Sequence, residues 1–201
     1  MLSPRDQERL RNKPTSAQQI VSPRFHGVAV PEASATAGVA IRSAREPKLV
    51  ELTIALNNVA VSLVDATTAG AQGSVQIADL PPGLVRFLGA ITDLTLVAGA
   101  GLATALVTAV GSAAAAADNA TLTGTEANIV PSTAVTLTGQ NGAMKAEATN
   151  TEGALVLDGT ATAVDVFLNI AATDANSTGG GPFTVTVNGT ITLVFAIVGD
   201  N

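Results

Sequence analysis

The chain has 201 residues, 47% of them hydrophobic and only 13% charged, with a net charge of −6 and no Cys, Trp or Tyr. That length allows one sizeable domain, or a domain plus an arm, and the apolar content is enough for a true core. The missing cysteines exclude a disulfide, a thiolate metal ligand and a cysteine nucleophile, and a surface with about half the usual share of charge suits a chain packed against neighbours.

Charge divides the chain in two. Residues 1–48 carry eight Lys or Arg against four Asp or Glu, a net +4, whereas residues 49–201 carry two against twelve, a net −10. This reads as a basic arm (1–48) on an acidic body (49–201). Pro4, Pro14, Pro23, Pro31 and Pro47 interrupt any long element in the arm. Ser3-Pro4 opens at most a short helix over Arg5–Asn12, which Pro14 ends, and the rest reads as extended chain. Arg5, Arg9, Arg11, Lys13 and Arg24 supply charge, and Ile20, Val21, Phe25, Val28 and Val30 supply hydrophobic anchors. Purely solvating tails have few such anchors, so the arm is expected to order on a partner. It has no Lys/Arg cluster and sits on a body that repels phosphate, so nucleic acid is not the expected partner. The first residues, Met1-Leu2-Ser3-Pro4-Arg5-Asp6, lack an apolar run and are not read as a signal peptide.

From Leu49 the pattern becomes that of strands. Val50 to Leu56 alternates, Asn57-Asn58 is read as a turn, and Val59 to Leu63 alternates again. Ser74 to Ala78 is a third strand, stopped by Pro81-Pro82-Gly83, and Leu84 to Leu96 is a fourth with a bend at Gly89. Leu94 to Ala117 holds 24 residues without a charge, long enough to span a bilayer. Its Ala/Gly/Thr/Val composition, its lack of an aromatic belt and the acids at both ends, Asp93 and Asp118, argue against a membrane helix. Leu102 to Ala117 fits both helical and strand periodicity; Gly99, Gly101 and Gly111 favour strand. Thr133–Leu137 and Ala143–Ala148 are short strands around a turn at Gln140-Asn141-Gly142, and Asp158-Gly159 is a second hairpin signal.

The clearest alternation is C-terminal. Val164, Val166, Leu168 and Ile170 form one apolar face, and Phe183, Val185, Val187, Ile191, Leu193, Phe195 and Ile197 another, opposite a hydroxyl face of Thr184, Thr186, Thr190 and Thr192. These two strands, joined across Asp174–Gly181, are expected to form the heart of a sheet, as its core or as a subunit interface. Asn188-Gly189 is a strong hairpin signal, but a two-residue turn there would pair Val187 with Thr190 and mix the faces. A continuous strand bent or bulged at Gly189 keeps the apolar face whole. Many short strands with frequent turn signals make an all-β sandwich or barrel.

Sites with chemistry are not legible. The one histidine, His26, lies in the arm, so a Ser-His-Asp triad or a zinc site has nothing to build on in the body. Gly99-Ala100-Gly101 lacks the third glycine of a dinucleotide fingerprint, and no phosphate-binding loop motif occurs. Nothing brings any pair of carboxylates together for glycoside hydrolysis. Asp174 to Gly179 resembles the start of a calcium loop, but Val185 stands where the bidentate Glu belongs. Three Asn-x-Ser/Thr sequons, at Asn119, Asn176 and Asn188, reflect composition. A sugar platform is missing with Trp and Tyr. The expectation is a protein without enzymatic activity, metal or cofactor.

The run Asp118-Asn119-Ala120-Thr121-Leu122-Thr123-Gly124-Thr125-Glu126-Ala127-Asn128-Ile129-Val130-Pro131, the run Leu157 to Asn169 and the terminal Asn188 to Asp200 resemble virion structural proteins of tailed bacteriophages, particularly capsid decoration (cement) proteins. The resemblance covers roughly residues 50–201. It implies a jelly-roll-like β-sandwich with an extended N-terminal arm, a homo-oligomer, specifically a trimer, on the capsid exterior, and an arm that reaches over neighbouring major capsid protein subunits. It further implies assembly in the host cytoplasm, with neither nucleic acid nor membrane as partner. A tail, fibre or head–tail accessory module is the nearest alternative, and a receptor- or glycan-binding adhesin domain the next.

Overall fold

The computed structural model describes residues 39–46, 49–65, 70–102, 105–116, 121–149, 155–173 and 182–199. These form ten strands: β1 (Val39–Glu46), β2 (Leu49–Asp65), β3 (Ala71–Asp79), β4 (Leu84–Ala98), β5 (Ala105–Gly111), β6 (Val130–Thr136), β7 (Asn141–Thr149), β8 (Val156–Asp158), β9 (Asp165–Ala172) and β10 (Phe183–Gly199). A single 3-10 turn, Gly124–Glu126, interrupts the connection from β5 to β6. The protein is all-β, and every strand pairing among the described residues is antiparallel.

Along the sheet the order is β6-β5-β9-β3-β2-β10-β4-β7, with β1 added beside β2 and β8 beside β4. The two ends of this path, β6 and β7, are joined by a tight hairpin, so the sheet nearly closes on itself. β2 turns the corner: Leu49 to Leu63 pair with β10, and Val64 and Asp65 pair with β3. The inward residues of β2, β10, β4 and β7 and those of β3, β9, β5 and β6 pack into one continuous core. Phe87 and Phe195, at its centre, have ring centroids 5.6 Å apart. β1 lies within the stretch assigned to the arm from sequence, and its backbone pairs with β2 from Val39↔Leu56 to Glu46↔Leu49.

Four local expectations change. β2 does not turn at Asn57-Asn58; it runs through, and both residues bulge opposite Asn188 of β10, with Asn58 at φ 52°. The bulge swaps the inward parity from Leu52, Ile54 and Leu56 to Val59, Val61 and Leu63, all buried. The β6–β7 turn is Gly139-Gln140, at φ 55° and 70°, the doubly positive geometry of a type I′ hairpin. Thr138 and Asn141 close it with hydrogen bonds of 2.7 and 3.1 Å, and Gly142 is already in strand, opposite Leu96. Asp158-Gly159 is a corner, not a hairpin, because β8 pairs with β4 whereas β9 pairs with β3 and β5. Finally, β9 and β10 are not neighbours. β10, at 17 residues, takes the two long strands β2 and β4 as partners instead.

Other expectations correspond to what is seen. β10 is continuous through Asn188-Gly189, with Gly189 at φ 128° beside the β2 bulge. The segment of ambiguous periodicity contains a strand, β5. Among the described residues no helix is long and apolar enough to cross a membrane.

Candidate functional site

The residues singled out on the two C-terminal strands fill the interior. Val166, Leu168, Ile170, Phe183, Val185, Val187, Ile191, Leu193 and Phe195 are buried, and Val164 and Ile197 pack half-buried against them. Arg5, Arg9, Arg11, Lys13, Ile20, Val21, Arg24, Phe25, Val28 and Val30 lie outside the described residues, as do His26 and the Asp174–Gly179 loop.

The two outer faces of the sheet differ. On the β3-β9-β5 side, the connection from β5 to β6 lies across the strands and is pinned by Asn169 of β9, which is wholly buried. The Asn169 amide donates to the carbonyls of Ala113 (2.9 Å) and Glu126 (2.7 Å). Its Oδ1 accepts from the Ser74 hydroxyl (2.6 Å) and the Ala115 N–H (3.1 Å). Glu126 adds its own carboxylate, accepting from the N–H groups of Ala116 (2.6 Å) and Thr123 (3.2 Å). Asn128 and Ser112 hold the base of the connection through Ser112 N–H to Asn128 Oδ1 (3.0 Å) and Asn128 Nδ2 to Ser112 Oγ (2.8 Å). Beneath it Leu122 packs on Ala109 and Ala171. Both polar atoms of the Asn169 side chain are therefore used, and this network fastens structure. The Thr123-x-x-Glu126 spacing, a helix-start signature, was the sequence signal for it.

Beside this cover, at the β2–β3 corner, lies an open groove of about 380 Å³ lined by Ser62, Val64, Gln72, Ser74 and Ala115 among others. None of its lining side chains is titratable, so it offers no general acid or base.

Two carboxylates come together across the sheet. Asp79 and Asp165 face each other in register across β3 and β9, and the Gln76 amide bonds to Asp79. Burial first, then a hydrogen bond to Asp79 and the Asp79 charge, raise the Asp165 pKa above the ordinary carboxylate range. Asp158, at the β8 corner, accepts from the Thr160 hydroxyl (2.6 Å) and N–H (3.0 Å), which lowers its pKa. Among the described residues no three His, Cys, Asp or Glu side chains come together as a metal-binding group.

The second outer face, on β2, β10, β4 and β7, has no such cover among the described residues. Its rows read Thr53–Thr192–Ile91–Glu147, Ala55–Thr190–Asp93–Lys145 and Ala60–Thr186–Val97–Asn141. The Thr53 and Thr192 hydroxyls meet at 3.5 Å. Asp93 and Lys145 form an exposed ion pair at 3.2 Å, and β10 carries no charge along all 17 residues. Sequence reasoning saw the hydroxyl alternation of β10 but not the breadth of the face, which needs the pairing of β10 with β2 and β4.

No protein-family model matches the chain, and no curated protein matches it.

Proposed function

We propose that this chain is a non-enzymatic virion structural protein, a capsid decoration (cement) protein of the tailed-bacteriophage kind. In this reading it forms a homotrimer on the capsid exterior and holds adjacent major capsid protein subunits through its basic arm. Assembly is in the host cytoplasm, without cofactor, nucleic acid or membrane.

The strand order carries the proposal. Leaving out β1 and the short β8, eight strands remain, with β2 first and β10 eighth. Half the sheet then reads first, eighth, third, sixth, and the other half second, seventh, fourth, fifth. We infer a jelly roll from this order, which two nested Greek keys produce. Jelly rolls build viral capsid proteins, lectins and cupins. A lectin would want an aromatic platform and a cupin a cluster of histidine ligands; this chain has no Trp or Tyr and a single His.

The charge division supports the arm's role. A segment of residues 1–38 reaches at most about 130 Å when extended, enough to pass beyond an adjacent shell subunit. Several arms on one oligomer bind together with an avidity that no single arm has. Such stitching opposes the outward pressure of packaged DNA.

The test is co-sedimentation with undecorated phage capsids, comparing the full chain with a form lacking residues 1–38. The cut falls before Val39 so that the β1–β2 pairing stays. Pelleting of the full chain alone is the expected result. Absence of pelleting for both forms overturns the proposal for that capsid.

A further inference from the structure

We propose that β1 is an exchanged strand: in the oligomer, β1 of one copy pairs with β2 of the next, in the register seen within the single chain. This rests on the oligomeric part of the proposed function and names the contact that joins the copies. β1 runs along one edge of β2 over eight rungs, Val39↔Leu56 to Glu46↔Leu49, while β10 holds the opposite edge. These rungs are the same whether the strand comes from its own chain or from an identical one, so exchange keeps all of them.

The connection decides between the two sources. Glu46 pairs with Leu49, so a hairpin within one chain has only Pro47 and Lys48, which lie outside the described residues, in which to turn. Two-residue hairpin turns favour types I′ and II′, and both need a positive φ at the first residue. The proline ring holds φ near about −65°. The unprimed turns that proline accepts splay the strands, because their twist opposes that of the sheet. The β6–β7 hairpin shows the preferred solution in the same chain, with Gly139 and Gln140 at φ 55° and 70°. Run straight, the β1–β2 connection needs no turn, and proline biases both itself and Glu46 toward extended backbone. A short connection that disfavours its own turn invites strand exchange.

Charge and register favour a copy of this chain as the donor. Residues 49–201 carry a net −10, so two bodies repel each other. Residues 1–46, the part that crosses over, carry a net +3 and are attracted to a neighbouring body. On β2, Ile54 and Leu56 are buried and stand at the rungs of Ile41 and Val39. A strand of unrelated sequence has to match these rungs, whereas an identical chain matches them already. Each copy giving β1 to the next and receiving one from the previous makes a head-to-tail contact, which closes into a ring when the rotation allows. The homotrimer proposed above is such a ring.

The chain has no cysteine, so a pair of introduced thiols reports the pairing without background. Ala44 and Glu51 are direct partners across β1 and β2, a separation within disulfide reach. The full chain carrying both Ala44→Cys and Glu51→Cys is oxidised while folded and run on a denaturing, non-reducing gel. Multiples of the 19.9 kDa chain mass that collapse on reduction are the expected result. An equimolar mixture of the two single variants, refolded together, should give a two-chain species, and each single variant alone should give none. Consumption of both thiols with every chain at single mass overturns the inference. If the thiols stay free, light scattering on Pro47→Asn/Lys48→Gly decides, because Asn-Gly suits a type I′ turn and restores the hairpin. A mass below that of the parent then supports exchange, and an unchanged mass or a monomeric parent overturns it. Capsid pelleting with the disulfide inside one chain sinks only the exchange, whereas exchange without pelleting sinks only the capsid reading.

Discussion

The backbone N–H of Asn58 donates to Oδ1 of Asn188 at 2.8 Å, tying the bulge of β2 to the β10 residue it faces. Asn57 and Asn58 together oppose Asn188, and Gly189 next to it sits at φ 128°, a conformation that side chains rarely adopt. A Cβ at Gly189 would lie 2.1 Å from the Asp93 carbonyl of β4.

Gly189→Ala therefore combines backbone strain with a collision against a neighbouring strand. It is expected to lose about 3 kcal/mol, the upper end for a strained position. Asn188→Ala removes only the acceptor for Asn58, at an exposed site where water can substitute, and is expected to cost about 0.5–1 kcal/mol. Urea denaturation midpoints of the two variants check the order. An equal loss for both would mean that the bulge is held by the Asn–Asn contact and not by glycine.

Asn169→Leu removes the three hydrogen bonds from Asn169 to the β5–β6 connection, and the one from Ser74 of β3, while keeping the buried volume similar. The carbonyls of Ala113 and Glu126 lose their side-chain partner, whereas the N–H of Ala115 keeps the Ser74 hydroxyl at 2.7 Å. Each buried polar group left without one costs about 1–3 kcal/mol, so a total loss of at least about 2 kcal/mol is expected. Amide exchange gives the sharper readout: protection should fall at Ala115, Ala116 and Thr123 first, while the amides of β2 and β10 keep theirs.

These two sites also mark how far the sequence could be read. Alternation showed which residues of β10 face inward, because that depends only on neighbours along the chain. The parity change at Asn57-Asn58 was visible too, but a hairpin and a bulge both produce it. The choice depends on whether β10 is long enough to pair with all of β2, as Phe183↔Leu63 through Phe195↔Val50 show it is. Partnership between strands distant in sequence is not encoded in local alternation, so the separation of β9 from β10 was not legible. Asn169 occupies a polar position of its strand like any solvent-facing residue. Only the folding of Leu122 and Glu126 over it makes it interior.

Thr108 on β5 offers a gain in stability. It is fully buried, and its hydroxyl oxygen has no hydrogen-bond partner among the described residues. Thr108→Val keeps the β-branched shape that suits a strand and removes an unsatisfied polar group. A gain of about 1 kcal/mol is expected, read as a rise in urea midpoint at unchanged slope. A loss instead would mean that the hydroxyl makes a bond in solution.

Asp79 and Asp165 give the fold a pH dependence of unusual sign for carboxylates. The Asp165 pKa is raised by burial, by its hydrogen bond to Asp79 and by the Asp79 charge. A group whose folded pKa lies above its unfolded value, about 3.9 for Asp, contributes stability that is fully present below that value. That contribution is lost as pH rises through the folded pKa. Asp165→Asn should therefore raise the melting temperature relative to the parent at neutral pH, with the gap closing as pH falls below the carboxylate range. Asp158 supplies the contrast, because its pKa is lowered by the two Thr160 hydrogen bonds. Its contribution is present above the unfolded pKa and fades as pH falls through the folded one, so Asp158→Ala should cost stability at neutral pH and nothing in acid. Melting curves of both variants across that range separate the two: parallel trends would show that the facing carboxylates of β3 and β9 do not repel.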